Sequence, residues 1–204
     1  MRCFGFTLLL LPLVSCGGSG SIQKVTIDPE AASAKAFELF DKNSDGFIDD
    51  AEVQSAPGLA EGMVRVDANS DGKISPEEIT DRINSWNESV LSLVSPELVL
   101  KFNGRIVPGA LITFEPEPFL AEWLEEKRVW SNQFGTVTPQ ISRELPGMYM
   151  GYYRVKVSKE MGGKERIPPE YNEQTQLGVE FCTDRPIEEN FLIELNLGKS
   201  SRRR

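Results

Sequence analysis

The sequence holds no histidine in 204 residues, only three cysteines and no apolar run long enough to cross a membrane as a helix. Each scarcity removes a class of chemistry. Without histidine there is no Ser-His-Asp triad, no Cys-His nucleophile pair and no His-containing zinc centre. Paired carboxylates are the remaining route to acid-base catalysis, and Glu125-Glu126 and Glu188-Glu189 are candidates in name. Neighbouring side chains point apart on a strand and do not share a helix face, so both pairs are read as solubilising. No catalytic residue is assigned, and an enzyme is not expected. Cys3 and Cys16 fall within the first sixteen residues, which leaves Cys182 alone in the remainder and predicts no internal disulfide. In Leu177-Gly-Val-Glu-Phe-Cys182 the thiol is out of phase with Val179 and Phe181, and it is read as a small, partly covered residue on the opposite strand face.

Basic charge is scarce as well. Residues 28–94 carry fifteen Asp and Glu against five Lys and Arg, whereas residues 95–204 carry sixteen against fifteen. The net charge of −9 therefore sits in the first of these segments, and no basic footprint for nucleic acid exists. The basic cluster Arg202-Arg203-Arg204 reads as a solvated tail over 199–204. At the other end, Met1-Arg2 precedes the apolar run Phe4 to Val14, which has the length of a signal peptide and is too short for a spanning helix. Leu13-Val14-Ser15-Cys16 then resembles the bacterial lipoprotein signal. That resemblance implies removal of residues 1–15, acylation of Cys16 as the mature N-terminus and a lipid anchor in the cell envelope. With Gly17 rather than Asp after the cysteine, it implies the outer membrane. Residues 16–27, which include Gly17-Gly-Ser-Gly-Ser21, read as a flexible tether.

What the sequence has in abundance is oxygen ligands at fixed spacing. Two twelve-residue stretches start at Asp41 and Asp67. The first places Asp41, Asn43, Asp45, the Phe47 carbonyl, Asp49 and Glu52 at positions one, three, five, seven, nine and twelve. The second places Asp67, Asn69, Asp71, the Lys73 carbonyl, Ser75 and Glu78 there. These are the positions from which an EF-hand loop supplies a hard cation wanting six to eight oxygens, and Gly46 and Gly72 occupy the sixth position, where the chain turns sharply. The resemblance implies two calcium ions, one per loop, and a short two-stranded contact between Ile48 and Ile74 at position eight. Ser75-Pro76-Glu77-Glu78 also reads as a helix N-cap with a capping-box Glu, and Asp49 to Glu52 repeats the logic without proline.

Around the loops the apolar residues follow a helical period. Asp28-Pro29 opens a helix carrying Ala36, Phe37 and Phe40; Leu59, Met63 and Val66 precede the second loop; Ile79, Ile83, Trp86 and Val90 follow it. The loops start only 26 residues apart, and Pro57-Gly58 interrupts the span between them. Two short helices are expected there in a compact pair over 28–94, too short for the opening motion of calmodulin-like sensors. Both loops close with Glu, which also sets them apart from dockerins.

Beyond Ser95-Pro96 the period becomes that of a strand. Leu98, Leu100 and Phe102 alternate; so do Ala110, Ile112 and Phe114, then Tyr153, Val155 and Val157, then Phe191, Ile193, Leu195 and Leu197. Several short alternating strands over 95–198 predict a β-sandwich. Gly104 to Pro116, Gly151 to Ser158 and Ile167-Pro-Pro-Glu-Tyr-Asn172 resemble, in order, motifs of the transthyretin-like, carboxypeptidase-regulatory-type domain of small bacterial lipoproteins. Such domains bring no catalytic residues. The stretch Phe119 to Trp130 is longer and more helical than that family's pattern, and Phe119, Leu120, Trp123 and Leu124 form either a partner-binding helix or a lid on the sandwich end. Tyr149, Tyr152 and Tyr171 are either exposed platforms for sugar or packing at sheet edges. The expected fold class is thus α+β, a small all-α EF-hand pair followed by an all-β transthyretin/immunoglobulin-like sandwich. The expected role is that of a calcium-braced envelope lipoprotein binding an envelope protein or glycan, with a calcium-responsive regulatory subunit as the alternative.

Overall fold

A computed structural model describes residues 24–91, 93–142 and 145–185, with the backbone of 192–197. Cys16, the leader, most of the tether and the basic tail lie outside the described residues.

Three helices come first: α1 (Pro29–Phe40), α2 (Pro57–Val66) and α3 (Pro76–Glu88). Each starts with proline at N1, where the missing N–H costs nothing and φ is already set. Asp28 caps α1 by accepting from the Ala31 N–H at 3.0 Å. Ser75 caps α3 in a full capping box with Glu78. The span between the loops differs from expectation. A single 3₁₀ turn (Val53–Ser55) and one ten-residue helix replace the two short helices. Ala56, pushed out of the α region by the proline that follows it, sits at φ −124° and ψ 77° and separates them. Helix α3 also stops earlier than its apolar period, because Ser89 turns extended at ψ 136°; Val90 is 98% exposed instead of on the stripe.

The described residues after α3 are chiefly β structure: β1 (Glu97–Phe102), β2 (Arg105–Ile106), β3 (Leu111–Pro116), β4 (Lys127–Trp130), β5 (Thr136–Val137), β6 (Gln140–Ser142), β7 (Leu145–Pro146), β8 (Gly151–Ser158), β9 (Glu160–Met161), β10 (Lys164–Glu165), β11 (Gly178–Phe181) and β12 (Leu192–Leu197). Strands β11, β8, β3 and β4 form an antiparallel sheet in that order. In the second sheet β1 pairs in parallel with β12 on one side and antiparallel with β2 and β5 on the other. Register sets the faces. Ile112 pairs with Val157, Phe114 with Val155 and Val179 with Tyr153, so these side chains share the inner face, as their alternation predicted. They join buried Leu98, Leu100 and Val137 of the second sheet in one core.

The outer face of the β11-β8-β3-β4 sheet carries the unexpected feature. It is packed against the helices, and the same hydrophobic cluster runs through both regions. Tyr152 of β8 is fully buried there, with the Trp86 ring of α3 at 5.0 Å. Of the three tyrosines considered as sugar platforms, Tyr152 is therefore excluded by burial. The Phe119 segment is a 3₁₀ turn (Pro118–Leu120) rather than a longer helix, and Phe119, Leu120 and Leu124 are buried. Phe119 meets Phe40 of α1 edge-on at 6.2 Å, so the lid that forms here closes on this chain's own helices. Among the described residues no helix is long and apolar enough to cross a membrane.

Candidate metal centre

Each loop begins on the residue that follows a helix. Asp41 and Asp67 are the C-caps of α1 and α2, donating their N–H to Phe37 and Met63 at 3.1 and 3.0 Å. From there the two loops repeat each other's backbone. Ser44 and Ser70 both stand at φ 59°, and Gly46 and Gly72 at 84° and 82°, a left-handed conformation natural to glycine. Ile48 and Ile74 exchange both N–H···O bonds, at 2.9 and 3.0 Å, and are fully buried. The position-eight contact is thus as expected, and it fixes one loop against the other.

Loop side chains are oriented by N–H groups of their own loop. Asn43 Oδ1 accepts from the Asp45 N–H at 2.8 Å and Asp45 Oδ1 from the Phe47 N–H at 2.9 Å; Asn69 and Asp71 do the same at 2.8 and 2.9 Å. Asp41 and Asp67 accept from Gly46 and Gly72. The closing glutamates reach back across the loop. Glu52 accepts from Lys42, Asn43 and Asp49, and Glu78 from Ala68, Asn69 and Ser75. Position nine caps α3 as predicted, with Ser75 accepting from the Glu78 N–H. Asp49 accepts likewise from Ala51 and Glu52, but it orders a turn, and the 3₁₀ turn that follows has Glu52 at its N-cap with no side-chain cap bond. The Phe47 N–H, aided by Lys73, holds the Asp45 carboxyl below its ordinary value. Lys73 reaches from the second loop to Asp45 at 3.5 Å and lies 5.1 Å from the centre of the Phe47 ring.

Among the described residues, no three His, Cys, Asp or Glu side chains are gathered closely enough to hold a metal by themselves. The loops draw instead on a mixed set of carboxylate, amide, hydroxyl and carbonyl oxygens, which suits a hard cation. One atom tests the fit directly. Asp41 Oδ1 is buried and has no hydrogen-bond donor, an arrangement that is expensive for a carboxylate oxygen unless a cation completes it. The residues present therefore fit calcium at the first loop, and the second loop repeats its backbone and ligand types.

Charged residues on the hidden side of the helices escaped the sequence analysis. Glu180 of β11, fully buried, accepts from Arg82 Nε of α3 at 2.7 Å, lies 2.6 Å from Arg82 Nη2 and pairs with Arg65 of α2. Arg82 also donates to Asp184 in bidentate fashion at 2.6 and 2.8 Å. Glu61 joins Arg65 to Arg185 and accepts from the Glu180 N–H at 2.9 Å. A second node links the first loop's exit to the sheet: buried Glu117 accepts from the Gly58 N–H at 2.7 Å and from Arg154 Nε at 2.8 Å, while Arg154 Nη2 donates to the Ser55 carbonyl at 2.8 Å. Burial pushes the Glu180 and Glu117 carboxyls upward, against the opposing pull of Arg82 and Arg65 on one and Arg154 on the other. The Arg82 hydrogen bonds hold Asp184 down at about 2.

Glycines let these layers approach. A Cβ at Gly178 would lie 1.9 Å from the Pro57 carbonyl oxygen, and one at Gly62 would lie 2.4 Å from the Tyr152 ring. A signal for this seam does exist in the sequence, since Arg82 sits on the apolar stripe between Ile79 and Trp86, where a cation needs a buried partner. Its partner is invisible there, because Glu180 alternates with Val179 and Phe181 and so reads as exposed.

The EF hand family model matches residues 34–55 and 63–81. The matches cover both loops and part of each helix beside them, and leave out the restart at Pro57. No curated protein and no solved structure matches the chain.

Proposed function

We propose that the chain is a calcium-braced envelope lipoprotein whose two loops take one ion each. Asp41, Asn43, Asp45, the Phe47 carbonyl, Asp49 and Glu52 hold the first; Asp67, Asn69, Asp71, the Lys73 carbonyl, Ser75 and Glu78 hold the second. Calcium supplies a fixed positive charge that ties each helix end to the helix after it. The observation that carries a bracing role is the seam. The inward faces of α2 and α3 are spent on Tyr152, Glu180 and the strand backbone, so no groove is left to open as a sensor's would. The lipid anchor at Cys16, the outer-membrane location and a non-catalytic, transthyretin-like role for the β region rest on the motifs of the sequence.

Extracellular calcium modules hold the ion at about 10⁻⁴ to 10⁻³ M. At ten times the dissociation constant each site stabilises the fold by about 1.4 kcal/mol, and two sites raise the melting temperature by about 6–11 °C. Calorimetry with and without chelator tests this reading: two ions and that shift are expected. Absence of calcium heat would refute it. A calcium-induced rise in hydrophobic-dye binding would refute the bracing role and favour a regulatory subunit.

A further inference from the structure

The helices cover the outer face of the β11-β8-β3-β4 sheet only in part. Where α2 starts, a cleft of about 250 Å³ opens between the 3₁₀ turn, strands β3 and β8, and the segment leading into β11. Gln54 and Ser55 form one wall, Glu115, Arg154 and Lys156 the floor, and residues 173–176 the far wall. Its charges are largely answered within the molecule: Arg154 pairs with Glu117 at 2.8 Å, and Lys156 pairs with Glu115. An anionic ligand would meet Glu115 and Glu173, and a cationic one Arg154 and Lys156. Pro57 is the sole apolar side chain of the lining, which has no aromatic ring, so an apolar ligand finds no surface. The side-chain amides of Gln174 and Gln176 and the Glu173 carboxylate are exposed and have no partner among the described residues. Amides donate and accept at once and a carboxylate accepts, which is the combination that reads hydroxyl groups.

We propose that this cleft binds a neutral polyhydroxylated ligand, one or two sugar rings at the end of a glycan. At about 250 Å³ the cleft lies just below the roughly 300 Å³ at which sites for drug-sized molecules start, which limits the ligand to one or two rings. Without a stacking ring the affinity is modest, on the order of millimolar. A second element of the proposal rests on the calcium reading above. The near wall is the 3₁₀ turn that leaves the first loop: Gln54 and Ser55 follow Glu52, the Gln54 amide donates to the Asp50 carbonyl at 3.2 Å, and Arg154 donates to the Ser55 carbonyl. An ion that orders this turn builds the wall, and by linkage sugar binding tightens calcium binding by the same factor.

The experiment is an NMR titration of the ¹⁵N-labelled chain from residue 17 onward, with calcium binding checked by calorimetry on the same sample. Maltose, cellobiose and diacetylchitobiose are the neutral probes, with galacturonate and glucosamine as charged ones. Saturable shifts of the Gln54, Gln174 and Gln176 side-chain amides are expected with a neutral probe. The affinity read from the Gln54 side-chain amide should fall about tenfold in the exposed double variant Gln174→Ala/Gln176→Ala and again on addition of chelator. No saturable shift from any neutral probe while calcium heat persists overturns the sugar site, as does preference for a charged probe. Sugar binding indifferent to chelator overturns the calcium linkage. Missing calcium heat overturns the calcium reading, and the sugar titration still decides the cleft.

Discussion

Replacing Glu180 by alanine tests the charged seam at its centre. The carboxylate is fully buried, and two arginines from different helices converge on it, with Arg82 at 2.6 to 2.7 Å. Removing one member of a buried ion pair costs about 3–5 kcal/mol, chiefly because a charge is left uncompensated. Here each arginine keeps a second carboxylate, Glu61 for Arg65 and Asp184 for Arg82, so the lower end applies, about 3 kcal/mol. Glu180 also leaves two guanidinium groups facing each other across the space it filled, which prevents a smaller figure.

For a chain of this size about 3 kcal/mol lowers the melting temperature by about 6–12 °C. Urea denaturation in saturating calcium, followed by circular dichroism for the whole chain and, in a Trp123→Phe/Trp130→Phe background that leaves Trp86 alone, by tryptophan fluorescence, measures it. The wild type should unfold in one transition by both probes, because a single hydrophobic cluster spans helices and sheets. In the variant the two probes should separate as the seam fails before the strands. Glu180→Gln, which keeps the volume and one acceptor, should fall between. A loss below about 1 kcal/mol with coincident transitions would refute the reasoning, since it would mean that the arginines are solvated and the seam is ornamental.

Gly62→Ala places a methyl 2.4 Å from the Tyr152 ring and should destabilise by about 1–3 kcal/mol in chemical denaturation, although alanine favours a helix elsewhere. Glu52→Gln should abolish one of the two calorimetric calcium sites and weaken the other through the Ile48 and Ile74 pairing, whereas two unchanged sites would count against Glu52 as a ligand. Burial pushes the Cys182 thiol up to about 12, so in the chain from residue 17 onward, where it is the single cysteine, a thiol reagent at pH 8 should label it only on unfolding. Asp184 is held at about 2 against an ordinary 3.8; its contribution is present above the ordinary value and is lost as pH falls from about 4 to about 2, and Asp184→Asn should flatten that limb of an acid-unfolding curve.

The loops were legible because their physics is local. The oxygen-bearing residues of each loop lie within twelve residues of one another, each cap within four, and the glycine at position six is required by a turn that the same residues make. The inner strand faces were legible for the same reason, since a period of two needs no knowledge of the partner strand. What could not be read is set by contacts across more than fifty residues. Glu117 looks solvent-facing until Gly58 is laid against it, and Glu180 until Arg65 and Arg82 arrive. Tyr152 failed as an exposed aromatic because both faces of its sheet are covered, a condition that alternation in one strand cannot announce. Val90 failed because a helical period states where a side chain would point and not where the helix ends.

The Pro57-Gly58 step shows how a local break serves a distant contact. Read in isolation it shortens the span between the loops; in the fold it is the point of closest approach between helix and sheet. A Cβ on Gly58 would stand 2.7 Å from the Tyr153 nitrogen, and its N–H is the donor that satisfies buried Glu117. Proline beside it begins α2 without needing a partner for its own nitrogen, so the first turn can be pressed against Gly178 without stranding that nitrogen. The first loop therefore ends six residues from a fixed anchor, through a turn whose last carbonyl Arg154 already holds. A ligand that fixes Glu52 acts on a segment clamped at its far side, and with so short a lever the energy goes into rigidity rather than displacement.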